Sequence, residues 1–393
     1  MNQSFQSSEL IKHCKQLEML QAEIEEEDLL ESLDEVYSDI VSEEFDLEIR
    51  RRKDFYVADG LEHSLVLRKL NDNIKRIYKD EQANRRIIIS QIKTLLGESC
   101  PFWVLKTDIS SFYESIDEQK IIRKIQDDAI LSYESIYLLK NIFNNDLLLG
   151  RKGVPRGLNI SATMSEMYMR KFDQWIRRHP GVYYYARFVD DIIIFVYSKK
   201  VLLELKEIID SKLQELTNGL RINKSKTKSY DSKLSNPNRP LEYLGYSFSR
   251  VKEGKDWNLK VTIANKKINK IKTRIVLSLL DFIKNQNFHL LEKRMKFLTG
   301  NYSIRKGESG NDLRAGIFFN YSQITENVAL NELNTFYRNL LFSKNKRIGQ
   351  KLSSRLNTDQ KNKLNKYCFR TGFSKRVHNS FRYEEMVEIV KCW

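Results

Sequence analysis

Four cysteines in 393 residues (Cys14, Cys100, Cys368 and Cys392) stand far apart, with no CxxC spacing. That excludes a disulfide framework, offers no zinc-ligand pattern and suits a reducing cytosol. The five histidines are scattered and form no HNH-like cluster, so a metal-dependent endonuclease domain is not expected. The opening stretch, MNQSFQSSELIKHCK, has no apolar core of a signal peptide. The apolar run 192–196 is far too short to cross a bilayer, and no membrane partner is expected. No segment repeats at a fixed period. Residues 9–49 lack proline and glycine, and residues 18–49 lack lysine and arginine altogether.

The charge that is present is unevenly spread. The chain carries 67 Lys or Arg against 52 Asp or Glu, a net +15. Fourteen of the acids lie in 18–49, leaving 38 against all 67 bases, a surplus of 29 over the remainder. Such a surplus suits a polyanionic partner, because each base meeting a phosphate releases condensed counterions. Composition alone does not separate RNA, DNA and a membrane surface. Residues 9–49 have apolar positions at helical spacing between acids, which predicts a solvated acidic helix or one docked on a basic surface.

The centre of the chain is residues 182–197, VYYYARFVDDIIIFVY. Two runs of aromatic and β-branched residues flank Asp190 and Asp191, which predicts strand, tight turn and strand. Adjacent carboxylates repel, so a divalent cation gives them a purpose; an acidic turn is the plain alternative. Upstream, FWVLKTDISSFYESID predicts a buried strand ending at Asp108, with Tyr113 one turn further on. As an alternative, Asp108 caps the helix that follows. Between them, GRKGVPRGLNISATMSEMYMRKFD gives a glycine loop and then an amphipathic helix. Residues 199–218 form a second amphipathic helix, and a basic loop carries Lys224, Lys226 and Lys228. A further hairpin is expected at LEYLGYSFSR. Residues 251–393 read as basic and mainly helical, with Lys266, Lys270 and Arg274 on one face of a helix and aromatics interleaved. Arg85 and Arg86 are the first candidates to hold a triphosphate if the chain handles nucleotides.

In order, TDISSFY, GVPRGLNIS, RFVDD, INKSKT and YLGY resemble the palm motifs of bacterial reverse transcriptases, the broad family of retron, group II intron and defence-associated enzymes. The TDISSFYES and PRGLNISA variants most resemble the defence-associated, abortive-infection or antiviral group. The resemblance covers residues 50–250. It implies an α+β right-hand polymerase: an acidic helical segment at 1–49, fingers at 50–107, palm at 108–250 and a basic helical thumb and C-terminal region at 251–393. It implies catalytic Asp108, Asp190 and Asp191 binding two Mg²⁺, with Asp191 in a supporting position, and Lys226 near the pyrophosphate as a general acid. Tyr113 matches the steric gate that favours dNTPs, and Phe188 the aromatic before the Asp pair, where Tyr is usual. Arg156, Gly157 and Ser161 would lie under the incoming base pair and template; many relatives have Gln where Arg156 stands. Leu244, Gly245 and Tyr246 match the primer grip.

The resulting expectation is an RNA-directed DNA polymerase of antiviral defence, cytoplasmic, with an RNA template (a dedicated noncoding RNA), a DNA product and dNTPs. A second polymerase chain or self-association belongs to the same implication. Template-independent or protein-primed DNA synthesis, and an RNA-binding scaffold with an idle site, remain as alternatives.

Overall fold

The computed structural model describes all residues except 1, 80–82, 99, 149, 235–238, 255, 305–312 and 344–346. The chain forms two compact units, one of residues 1–88 with 100–232 and one of 89–99 with 233–393.

The first unit opens with α1 (Ser7–Leu10), α2 (Gln16–Ala22) and α3 (Glu26–Ser42). The acidic stretch is therefore three helices, the longest ending where Glu43 takes a left-handed conformation, φ +62°. One face of it is not solvated: Leu29, Leu33 and Ile40 are buried in the unit's main core beside Phe5 and Leu10. The segment 1–49 is thus part of this unit rather than a separate arm.

A short hairpin follows, β1 (Ile49–Arg52) and β2 (Phe55–Ala58), then α4 (Leu61–Tyr78). α5 (Arg85–Gly97) begins in the first unit and continues in the second. Next come β3 (Trp103–Asp108), α6 (Glu118–Asp128), α7 (Tyr133–Asn144), α8 (Asn159–Arg178), β4 (Val182–Phe188), β5 (Asp191–Val196), α9 (Lys199–Thr217) and β6 (Lys228–Asp231). The sheet runs β4-β5-β3-β6, all neighbours antiparallel. β5 lies inside it, and its five residues after Asp191 are 0% exposed, which is why the sequence there is an unbroken apolar run rather than an alternating one. α8 packs on β4, and α9 on β3 and β5, burying one face of the sheet.

The second unit contains the antiparallel sheet β7 (Leu241–Tyr243), β8 (Tyr246–Glu253) and β9 (Asp256–Ile263). It continues with α10 (Asn265–Asn285), α11 (Phe288–Thr299), the pair β10 (Asn301–Ile304) and β11 (Leu313–Gly316), α12 (Ile317–Tyr321) and α13 (Val328–Phe342). Four short helices close the chain: α14 (Arg347–Ser353), α15 (Thr358–Asn365), α16 (Phe369–Ser374) and α17 (Tyr383–Val390). The expected basic helix is α10, with Ile268, Ile275 and Leu279 buried and Lys266 and Lys270 exposed. β9 was hidden by its charged neighbours; Trp257, Leu259, Val261 and Ile263 alternate along it in the pattern of a strand with one packed side.

Candidate active site

Two strands bring the acidic residues together. Asp108 ends β3 and is directly opposite Asp191, the first residue of β5. Asp190 stands in the turn between β4 and β5, and its carbonyl accepts from Ile109 N–H at 3.1 Å, tying the turn to the end of β3. The turn is strained: Val189 has φ +60°, a left-handed conformation that a β-branched residue rarely adopts. Arg187 Nη1 steadies it by donating to the Val189 carbonyl at 3.0 Å. On the other side, Asn223 N–H donates to the Asp108 carbonyl at 2.7 Å and fixes the basic loop beside the acids. From that loop Lys226 Nζ grips both oxygens of Asp108, at 2.9 and 2.6 Å.

These groups line an open pocket of about 890 Å³. Asp108, Asp190, Lys226 and Asn223 form part of its wall, Arg51, Asp54 and Tyr56 come from the β1–β2 hairpin, and Arg151, Arg156 and Glu114 complete its polar lining. The Arg151 guanidinium lies 4.7 Å from the centre of the Tyr56 ring. Burial, reinforced by the charge of Asp108, holds the Asp190 carboxyl above its ordinary pKa. Burial raises Asp191 as well, against the pull of Lys106 on the neighbouring strand. Lys226 is raised by its bond to Asp108. The site thus concentrates negative charge that the fold only partly neutralises.

Does this arrangement suit a metal? The donors are carboxylate oxygens, the ligands of hard divalent cations. The Lys226 ammonium bridging both Asp108 oxygens is a cation already standing at that position. Among the described residues, no three His, Cys, Asp or Glu side chains are grouped so as to hold an ion. Asp108 and Asp190 share the pocket, whereas Asp191 is set back from it in the strand. The fit is therefore that of a carboxylate pair with Asp191 behind it.

The remaining sequence candidates divide. Tyr113 lies beneath Arg156, 5.6 Å from its guanidinium, and Phe188 is the register partner of Asp191. Arg156 lines the pocket, but Gly157 belongs to a smaller neighbouring hollow with Leu158 and Asn159. At Gly157, φ is +104° and a Cβ would come within 2.4 Å of the Tyr56 carbonyl, so glycine is required for the backbones to approach. Ser161 is 2% exposed and gives its hydroxyl to the Pro155 carbonyl. It shapes the loop from within and does not reach the pocket. Arg85 and Arg86 open α5 and do not line the pocket. Besides Arg156 and Lys226, the basic side chains found there are Arg51 and Arg151, which sequence reasoning passed over. Leu244, Gly245 and Tyr246 form a tight turn between β7 and β8 in the second unit, with φ of +45° and +86° at the first two. Tyr246 there is buried, its hydroxyl donating to the Asn320 carbonyl.

Residues 63–248, just under half of the chain, match the family model described as reverse transcriptase (RNA-dependent DNA polymerase). That stretch is similar to reverse transcriptase domains, and it holds the site's acids and the β4-β5-β3-β6 sheet. Enzymes of this family generally use divalent metal ions. None of the curated proteins matches the chain. Among solved structures, apo telomerase of Candida tropicalis, truncated of its C-terminal domain, is similar at 14% identity, over 61% of this chain and 49% of its own, with a TM-score of 0.38. Telomerase of Candida albicans, in complex with a fragment of telomeric RNA, is similar at 13% identity over 59% and 46%, TM-score 0.37. The Candida tropicalis enzyme with its telomeric RNA fragment gives 13%, 82% and 55%, TM-score 0.37. The chain spans about half the length of the solved structures it matches. Among the described residues, no helix is long and apolar enough to cross a membrane.

Proposed function

We propose that the chain is an RNA-directed DNA polymerase that adds dNTPs to a primer 3′-hydroxyl. The observation that carries this reading is the meeting of Asp108 and Asp190 in one pocket with Lys226, Arg51 and Arg151. Asp108 and Asp190 are the metal-holding pair, Asp191 supports them, and the ion is Mg²⁺, two per site. Bound there, the metal lowers the pKa of the attacking hydroxyl and neutralises charge on the triphosphate and pyrophosphate. The protein supplies the rest. Arg51 and Arg151 take the phosphates, in place of Arg85 and Arg86. Lys226, bonded to Asp108 in the same pocket, moves from Asp108 to the leaving pyrophosphate and donates its proton there. Tyr113 limits space at the sugar, and Arg156 covers it.

The wider setting is that of a bacterial, defence-associated enzyme of the cytoplasm, copying a dedicated noncoding RNA and working with a second polymerase chain or a copy of itself. The motif variants TDISSFYES and PRGLNISA support that part. Purified protein given Mg²⁺, dNTPs and a primed RNA is expected to make DNA, and Asp190→Ala to abolish synthesis. Equal synthesis by that variant removes the site. Sequencing the nucleic acid that copurifies tests the template.

A further inference from the structure

The loop preceding α8 is fastened to the segment after Asp108 along its backbone. Val154 N–H donates to the Tyr113 carbonyl at 2.9 Å, and a Cβ at Gly153 would lie 2.1 Å from that same oxygen. On the other side, Tyr56 N–H donates to the Arg156 carbonyl at 2.7 Å. With its backbone held from two directions, Arg156 directs its side chain over the Tyr113 ring. It also forks onto Glu114, Nε to Oε1 at 2.7 Å and Nη2 to Oε2 at 3.0 Å. The two side chains are 49% and 38% exposed, so the pair adds little to stability. What it fixes is geometry.

Resting on the polymerase reading above, we propose that the Glu114–Arg156 pair positions Tyr113 and thereby sets how strongly the site separates deoxyribose from ribose. A ring excludes a 2′-hydroxyl only if it cannot yield. The Tyr113 ring meets Phe112 edge-on at 5.3 Å. Arg156 supplies a further restraint on the ring, from the pocket side. A planar guanidinium both forks a carboxylate and covers an aromatic ring, which a lysine ammonium does not. Glu114 acts through Arg156, holding the guanidinium over the ring. Both are positioning residues.

The test compares kcat/KM for a dNTP and the matching rNTP on a primed RNA, in the wild type, Glu114→Gln, Glu114→Asp, Arg156→Lys and Tyr113→Ala. Glu114→Gln and Arg156→Lys are each expected to lower the dNTP-to-rNTP ratio about five-fold, the size of a typical pairwise coupling. The change should come mostly through a lower KM for the rNTP. Glu114→Asp, which keeps the charge, stays nearer the wild type, and Tyr113→Ala falls furthest. If Tyr113→Ala collapses the ratio while Glu114→Gln leaves it at the wild-type value, the positioning role is wrong and the polymerase reading stands. A wild type that incorporates neither sugar overturns the polymerase reading, and this proposal with it.

Discussion

Two acidic clusters meet the β4–β5 hairpin, one through Arg187 on β4 and one at the turn, and they are opposite in kind. Asp173 and Glu166, both on α8, face Arg187, which is only 6% exposed. Arg187 reaches Asp173 at 2.9 and 2.7 Å and Glu166 at 2.6 Å, and the Tyr185 hydroxyl adds a bond to Asp173 at 2.6 Å. Burial alone would make Arg187 less basic, yet the charge of Asp173 holds it well above its ordinary value. The second cluster, Asp108, Asp190 and Asp191, receives less compensation, and two of its carboxyls are pushed up instead. One cluster is matched by a buried cation that bonds both of its acids, so folding completes it, whereas in the other Lys226 bonds Asp108. There, folding leaves charge for something else to complete. They are also coupled, because the arginine of the first holds the Val189 turn of the second.

That contrast can be broken in several ways. The largest effect is expected from Asp190→Asn, which should cut primer extension about a thousand-fold or more while leaving the melting temperature level or higher. A variant that melts well below the wild type would mean the carboxylate is structural. Arg187→Leu should do the reverse, leaving buried Asp173 and half-buried Glu166 without their cation and lowering stability by about 3–5 kcal/mol in denaturant titration. If Arg187→Leu unfolds at the wild-type midpoint, the matched cluster is not what holds the hairpin. Mg²⁺ at a hundred times its Kd should stabilise the wild type by about 2.7 kcal/mol and an Asp108→Asn/Asp190→Asn double variant not at all.

The smallest effect concerns pH, without added metal, and sharpens the contrast with the second unit. There Glu292 is 5% exposed and accepts from Tyr367 at 2.5 Å, with Lys296 and Lys363 at 3.0 and 2.9 Å. Burial would raise its carboxyl, but these bonds outweigh it and hold the pKa down at about 2. A depressed carboxyl contributes stability that is complete above its ordinary 4.5 and is lost as pH falls toward 2. Asp190 and Asp191 bind protons more tightly when folded, so what they contribute is complete below their ordinary 3.8 and is lost as pH rises through the raised values. Glu292→Gln should flatten the acid-side fall in stability and Asp190→Asn the opposing slope, both read by melting temperature across pH 2–6. A wild-type acid limb that survives Glu292→Gln unchanged rules out Glu292 as its source.

Where apolar pattern and chemistry coincide, the sequence was legible. The β4–β5 hairpin, the strand ending at Asp108, α8, α9 and the exposed lysine face of α10 follow from residue order alone. The β1–β2 hairpin did not, because three successive arginines in Ile49–Arg52 hide its alternation, and only Ile49 is buried in that strand. Arg51, Tyr56 and Arg151 were missed for this reason: they join the acids only through a pairing between segments distant in sequence. Arg85 and Arg86 were conspicuous as a basic pair, yet a helix start placed them away from the pocket lining. Ser161 matched by position, but its 2% exposure, a tertiary property, turned it inward.

The crowding at Gly153 and Gly157 has a consequence for how such a protein changes over time. With carbonyls 2.1 and 2.4 Å from where a methyl would begin, neither glycine can be exchanged without moving backbone. The loop is a fitted joint, closed to adjustment at both ends. Between them, position 156 faces outward and has room for other side chains. Change in this segment is therefore channelled to one residue, the only one of the three that can be altered while the joint stays shut.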